Sequence, residues 1–116
     1  MSDFTRIDQN HRRSRAIVHN GMVYTAGQVP DDLTQDIKGQ ASQVLAKIDD
    51  LLKQAGTDKT RVLTAQVWLK TIDDLAGMNE VWDAWVAPGQ TPTRICGRVD
   101  MNNAACRIEV QVMAAV

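Results

Sequence analysis

The stretch DIKGQASQVLAKIDDLLKQAG, residues 36–56, decides how the rest of the chain is read. Ile37, Ala41, Val44, Leu45, Ile48, Leu51, Leu52 and Ala55 recur at helical spacing, with lysine and aspartate between them, so one face is apolar and the other wet. Gly56 supplies the stop. Before this helix the period is two. Ala16-Ile17-Val18 and Met22-Val23-Tyr24-Thr25 flank His19-Asn20-Gly21, and Asn-Gly favours a type I′ hairpin because both central residues need positive φ. After it, Arg61 to Leu69 reads as a strand with Leu63, Ala65, Val67 and Leu69 on one side and Val62, Thr64, Gln66 and Trp68 on the other. A second helix carries Leu75, Met78, Val81, Trp82 and Trp85, with Asp73 or Asp74 as its cap, and ends before Pro88-Gly89. Two strands follow, about Arg94 to Val99 and Arg107 to Ala114, joined by Asp100-Met101-Asn102-Asn103.

The order ββαβαββ predicts an α+β domain over residues 1–116, a mixed sheet with two helices packed on one face. In the last strand Ile108, Val110, Val112 and Ala114 should meet the helices, leaving Arg107, Glu109, Gln111 and Met113 on the far face. In the strand before it, Arg94, Cys96 and Arg98 form one parity class. Placing that class beside Trp68, Met113 and Glu109 gives a far face that mixes charge with apolar groups. Such a face suits a subunit interface that holds a polar site.

Size sharpens that expectation. The chain has 116 residues, enough for one core but hardly for a core and a deep private pocket. A site would be shallow or would borrow walls from another subunit. Thirteen basic residues against fourteen acidic ones give a net charge of −1, so no global field draws the chain to nucleic acid or an anionic membrane. No apolar run approaches a membrane span. The basic N-terminal stretch lacks the apolar core of a signal peptide. Cys96 and Cys106 therefore read as reduced cytoplasmic thiols, and with His11 and His19 they form no close-spaced metal pattern.

Arg94 and Glu109 are the main candidates for chemistry, since parity allows them onto one face. Arginine offers a planar, permanently charged fork for a carboxylate, and a glutamate beside it can position or deprotonate water. The same two residues also fit a structural Arg–Glu pair. Cys96, two residues from Arg94, is either a thiol activated by the nearby cation or a small packing residue. His11-Arg12-Arg13-Ser14-Arg15 reads as a solvated arm, one member of which could meet an anionic substrate group. Trp82 and Trp85 read as core, and Trp68 as an interface residue. No phosphate-binding or dinucleotide glycine motif, no Ser-His-Asp arrangement and no constellation for phosphodiester cleavage is present. Nothing suggests a cofactor.

Val23-Tyr24-Thr25-Ala26-Gly27-Gln28-Val29-Pro30, then Thr91-Pro92-Thr93-Arg94-Ile95-Cys96, then Arg107-Ile108-Glu109-Val110-Gln111-Val112-Met113-Ala114 together resemble the RidA/YjgF family of reactive-intermediate deaminases across nearly the whole chain. The resemblance implies a chorismate-mutase-like fold and a homotrimer with three sites in the clefts between subunits. It implies that Arg94 binds the carboxylate of a 2-imino acid, aided by the backbone at Gly27. Glu109, with the main chain near Cys96, would hold the attacking water, and Asn79 would line the site. Where the family often carries a tyrosine near the pocket, this chain has His11-Arg12-Arg13-Ser14, and the family's frequent Ser-Gly-Gln is Ala26-Gly27-Gln28. The extra arginine predicts a preference for imines with a second carboxylate, such as 2-iminoglutarate, with Arg13 as the contact.

The function expected on this resemblance is cofactor-free hydrolysis of 2-imino acids and their enamine tautomers to 2-oxo acids and ammonia. Candidate substrates are 2-aminoacrylate and 2-iminobutanoate. The alternative is a non-catalytic carboxylate-binding or chaperone-like protein using the same clefts. No nucleic-acid or membrane partner is expected.

Overall fold

The computed structural model describes residues 3–116. The strands are β1 (Thr5–Gln9), β2 (Ser14–His19), β3 (Met22–Thr25), β4 (Val62–Leu69), β5 (Thr93–Arg98) and β6 (Ile108–Ala115). The helices are α1 (Ile37–Gln54) and α2 (Leu75–Trp85). The predicted α+β architecture is present. The helices lie on one face of a six-stranded mixed sheet ordered β1-β2-β3-β6-β4-β5.

The β2–β3 hairpin turns at Asn20 (φ 50°) and Gly21 (φ 76°), the left-handed pair that a type I′ turn requires. Asp36 caps α1, its carboxylate accepting from Gly39 N at 2.9 Å, and the helix closes just before Gly56. The apolar stripe of α1 is buried against Val23, Ala65, Val67, Leu69, Val110 and Val112 of the sheet, and α2 adds Met78 and Trp82.

Four local features differ from the sequence expectation. β1 is an additional strand, paired through Ile7 to Ala16. Its sequence, TRIDQ, has one apolar residue among polar ones, so it carries no strand alternation. The 11–15 stretch is therefore not a free arm. It forms the end of a hairpin in which Asn10 Oδ1 accepts from Arg12 N and Arg13 N, both at 2.8 Å. A register shift between Val62 and Thr64 turns Val62 inward and leaves Leu63 48% exposed, so the expected alternation starts only at Thr64. Asp74, one of the two candidates, holds the N-cap position of α2, but its side chain makes no capping hydrogen bond. Thr71 caps a short 3-10 turn ahead of it, and the Asp74 carboxylate pairs with Arg107 at 3.0 Å.

The fourth difference matters most. β5 and β6 follow each other in sequence but are not neighbours. The β4–α2–β5 crossover sets β5 parallel to β4 at the sheet edge, and the chain then returns to insert β6 between β3 and β4. Arg94 therefore pairs in register with Ala65, and Cys96 with Val67. Ala65 and Val67 are buried under the helices, so Arg94 and Cys96 share the helix face. Glu109 pairs with Trp68 and points to the open face. The expectation that Arg94, Cys96 and Glu109 share one face is thus corrected, and with it the idea of an Arg94–Glu109 pair within one chain.

One buried polar side chain ties the connections together. Gln40 is fully buried on α1. It donates to Leu33 O, Gln35 O and Ala105 O at 3.3, 3.0 and 3.1 Å and accepts from Arg107 N at 2.8 Å. Replacing it with leucine keeps the volume but strands these backbone groups. Gln40→Leu is expected to lower stability by about 2–4 kcal/mol, read as a fall in the urea midpoint. An unchanged midpoint would remove Gln40 from this role.

Candidate functional site

Two clusters of sequence-predicted residues form, one on each face of the sheet. The first is built on α2 and the edge strand β5. The Arg94 guanidinium donates to Asn79 Oδ1 at 2.9 Å, lies 4.0 Å from the Met78 sulfur and sits 5.2 Å from the centroid of the Trp82 ring. The ring face and the amide oxygen orient the fork without neutralising it. No ion pair among the described residues uses it. An exposed, oriented and uncompensated arginine is suited to bidentate capture of a carboxylate. Asn79 is thus the partner that aims Arg94.

Cys96 lies two residues along β5 on the same face and packs against the core. Burial pushes its thiol above the ordinary range, and the positive charge of Arg94 only partly opposes that shift. The packing alternative for this cysteine prevails over the activated nucleophile.

The second cluster lies where β6 meets the segment after β3. Gln28 and Val110 exchange backbone hydrogen bonds at 2.8 and 3.1 Å, which lays Gly27 against the Glu109 side chain. A Cβ on residue 27 would fall where Glu109 Oε2 now lies, so the glycine lets the carboxylate rest against the backbone there. Glu109 has no hydrogen-bond or ion-pair partner among the described residues, which leaves both oxygens able to hold water. A cavity of about 230 Å³ opens beside it, lined by Val29, Pro30, Leu33, Met101, Cys106 and Glu109, with Asn102 and Asn103 completing the wall.

The loops around this cavity are held from α1. Gln43 accepts from Asp31 N and Asp32 N at 3.1 and 2.9 Å and donates to Asp32 O at 3.0 Å. Lys47 Nζ donates to Val29 O and Asp31 Oδ1, both at 2.7 Å. The Lys47 hydrogen bond and charge hold the Asp31 carboxyl below its ordinary range. Gln40 reaches both walls, and Lys70 bonds Ala104 O on the far one. Residues 40, 43 and 47 form a polar helical stripe that sequence reasoning passed over. The available signal was a glutamine at position 40, where the apolar stripe calls for a hydrophobic residue.

Arg13 joins neither cluster. Its guanidinium donates to Asp8 O at 3.2 Å at the β1–β2 turn, where it lines a separate open cup with Arg6, His11 and Arg12. The N-terminal arginine that reaches the segment after β3 is Arg15, which donates to Gln28 Oε1 at 2.7 Å and pairs with Asp8 at 3.6 Å. Arg94, Asn79 and Cys96 thus assemble on one face, Glu109 and Gly27 on the other, with β4 between the two strands.

The Cys96 environment gives a pH expectation. Alkylation of Cys96 by iodoacetamide, followed on its peptide by mass spectrometry, should have a midpoint above that of an unperturbed thiol. Arg94→Ala removes the opposing charge and should raise it further. A midpoint below the ordinary value would contradict the burial argument.

A family model described as endoribonuclease L-PSP matches residues 4–116. A RutC family protein of Haemophilus ducreyi is 41% identical over 112 residues, covering 97% of this chain and 96% of that protein. Among solved structures, a member of the YjgF protein family from Neisseria meningitidis has a TM-score of 0.95 at 37% identity, covering 97% of this chain and 94% of its own. A Rid family protein from Yersinia pestis has a TM-score of 0.86 at 30% identity, with 93% and 90% covered.

Proposed function

Because the chain belongs to the Rid/YjgF/RutC family of endoribonuclease L-PSP proteins, we propose that it is a hydrolytic deaminase of 2-imino acids whose sites lie between copies of the chain in a homotrimer. The observation that carries this reading is the division of the machinery. An uncompensated arginine stands on the helix face at one sheet edge, and an unpartnered glutamate beside a cavity stands on the open face. Neither half can complete a site alone. The open face also displays Tyr24 (41% exposed), Ile95 (58%) and Met113 (36%), large apolar groups set among Thr64, Gln66 and Gln111, a mixed surface that supports cover by another subunit.

Arg94 of one protomer clamps the substrate carboxylate. Glu109 of a neighbour holds a water molecule against the imine carbon, next to the backbone at Gly27. The water oxygen adds to that carbon, the C=N π pair moves to nitrogen, and Glu109 takes the water proton. The carbinolamine then collapses. Glu109 returns its proton to nitrogen, and the C–N bond breaks as a hydroxyl oxygen lone pair forms the C=O bond. The hydroxyl proton passes to Glu109 and on to the departing ammonia, leaving the 2-oxo acid and ammonium. A protonated imine is already electrophilic, so orientation and one positioned water suffice. A hundredfold acceleration requires only ~2.7 kcal/mol. 2-Iminobutanoate and the imine tautomer of 2-aminoacrylate fit this scheme. The family description names an endoribonuclease, but one arginine fork and one carboxylate fit a small carboxylate-bearing imine better, and the chain's own lining beside Glu109 adds no further cation for a phosphodiester.

The test couples an amino-acid oxidase or a threonine dehydratase to imine decay. Arg94→Ala, in a protein that still assembles, should lose on the order of a hundredfold in kcat/KM. Equal decay with and without the wild-type protein would reject the deaminase, whereas chaperone activity would survive Arg94→Ala. Subunit complementation tests the division directly. Arg94→Ala and Glu109→Gln proteins, each inactive, should regain roughly a quarter of wild-type activity when refolded together in equal amounts, since random mixing pairs the intact halves at one site in four. No recovery would place both residues in the same chain's site.

A further inference from the structure

The backbone against which Glu109 rests is itself held from β2. Ala26 N donates to Arg15 O at 2.8 Å, and Ala26 O accepts from Gln28 Nε2 at 3.0 Å. Gln28 exchanges backbone hydrogen bonds with Val110, the neighbour of Glu109. Its side chain is buried, with the residue 5% exposed, so its amide has to find partners within the protein. One end donates to Ala26 O. The other end, Oε1, accepts from both Nη2 and Nε of Arg15, at 2.7 and 3.3 Å. The two ends of a glutamine amide are alike in shape and opposite in hydrogen bonding. A guanidinium has only donors and a carbonyl oxygen only lone pairs, so Arg15 and Ala26 O together admit one orientation of the Gln28 amide. Turned over, the amide would set its NH2 against the guanidinium and its oxygen against the Ala26 carbonyl. Asp8 steadies the guanidinium from its other nitrogen at 3.6 Å.

We propose that Arg15 is a positioning residue for the carboxylate on β6. By fixing the Gln28 amide it holds the Ala26-Gly27-Gln28 backbone in the path that Glu109 lies against, and so sets where Glu109 holds its water. The inference rests on the deaminase reading and gives a role to a cation that does not clamp the substrate, a task that falls to Arg94. Every contact in this relay lies within one chain, so it is complete before any copy associates. Without Arg15, Gln28 Oε1 stays buried without its donor and the amide is free to turn. A displaced water-holding carboxylate slows the reacting step and leaves capture of the substrate carboxylate intact.

Steady-state kinetics on 2-iminobutanoate separate this role from a general structural one. Arg15→Met should lower kcat about tenfold while KM changes by less than about twofold. Arg15→Lys, which keeps a cationic donor for Gln28 Oε1, should recover part of the loss. An unchanged kcat would overturn the proposal, and so would a rise in KM alone, which would make Arg15 a substrate contact. Gln28→Glu gives an independent arm should Arg15→Met fail to assemble. Its carboxylate still pairs with Arg15 but has no donor for Ala26 O, so kcat should fall again with KM held. A wild-type kcat in Gln28→Glu would equally overturn the role. NMR provides a readout independent of turnover. The Gln28 side-chain amide and the Gly27 backbone amide should shift in Arg15→Met and move back towards their wild-type positions in Arg15→Lys. If the wild-type protein hydrolyses no imine, the deaminase reading fails alone and these signals decide the relay. Gln28 and Gly27 resonances unmoved by Arg15→Met would count against it.

Discussion

A β-strand offers its side chains only two directions, and that restriction governs everything this chain can place near a substrate. The parallel β4–β5 pair and the insertion of β6 on the other side of β4 set the register. Once Ala65 and Val67 are buried under the helices, Arg94 and Cys96 must face the same way, while Trp68 and Glu109 must face the opposite way. No rotamer change crosses the sheet. The two polar groups suited to imine chemistry are therefore separated by the same alternation that builds the core. A short chain cannot reach around its own sheet, and the proposed association of copies is what would bring the two halves to one substrate.

Much of the fold was legible because period and punctuation agreed. The stripe from Ile37 to Ala55, the Asn20-Gly21 turn and the alternation through Val110 and Val112 each have a local cause. What was not legible is non-local. The order of β5 and β6 follows from the crossover, and no residue within either strand announces it. Parity correctly sorted Arg94 from Ile95 and Glu109 from Val110, but the choice of which class meets the helices belongs to the neighbouring strand. β1 escaped notice because a mostly polar edge strand needs only one inward residue, Ile7. The bulge at Val62–Thr64 escaped because Val62 and Leu63 are both apolar, so their sequence does not mark which of them turns inward. The family resemblance singled out Arg94, Glu109, Gly27 and Asn79, and the fold brings them together two by two, leaving Arg13 apart.

The helix α1 does more than cover the sheet. Its apolar stripe supplies much of the core, and the adjoining Gln40, Gln43 and Lys47 hold the loops beside Glu109 through backbone groups. Backbone carbonyls and amides are indifferent to the side chains on the loop, so the loop's lining can vary while its path stays fixed. Gln40 is the strictest of the three. It is buried, and both its donor and acceptor functions are used. A framework of this kind suits a site that works by holding water and substrate in place.

The close approach of Gly27 to Glu109 couples two positions far apart in sequence. A methyl group at 27 would fall where the Glu109 carboxylate now lies and would push that flexible end aside. A substitution at 27 would therefore reach the chemistry through the placement of the carboxylate, although residue 27 carries no reacting group of its own.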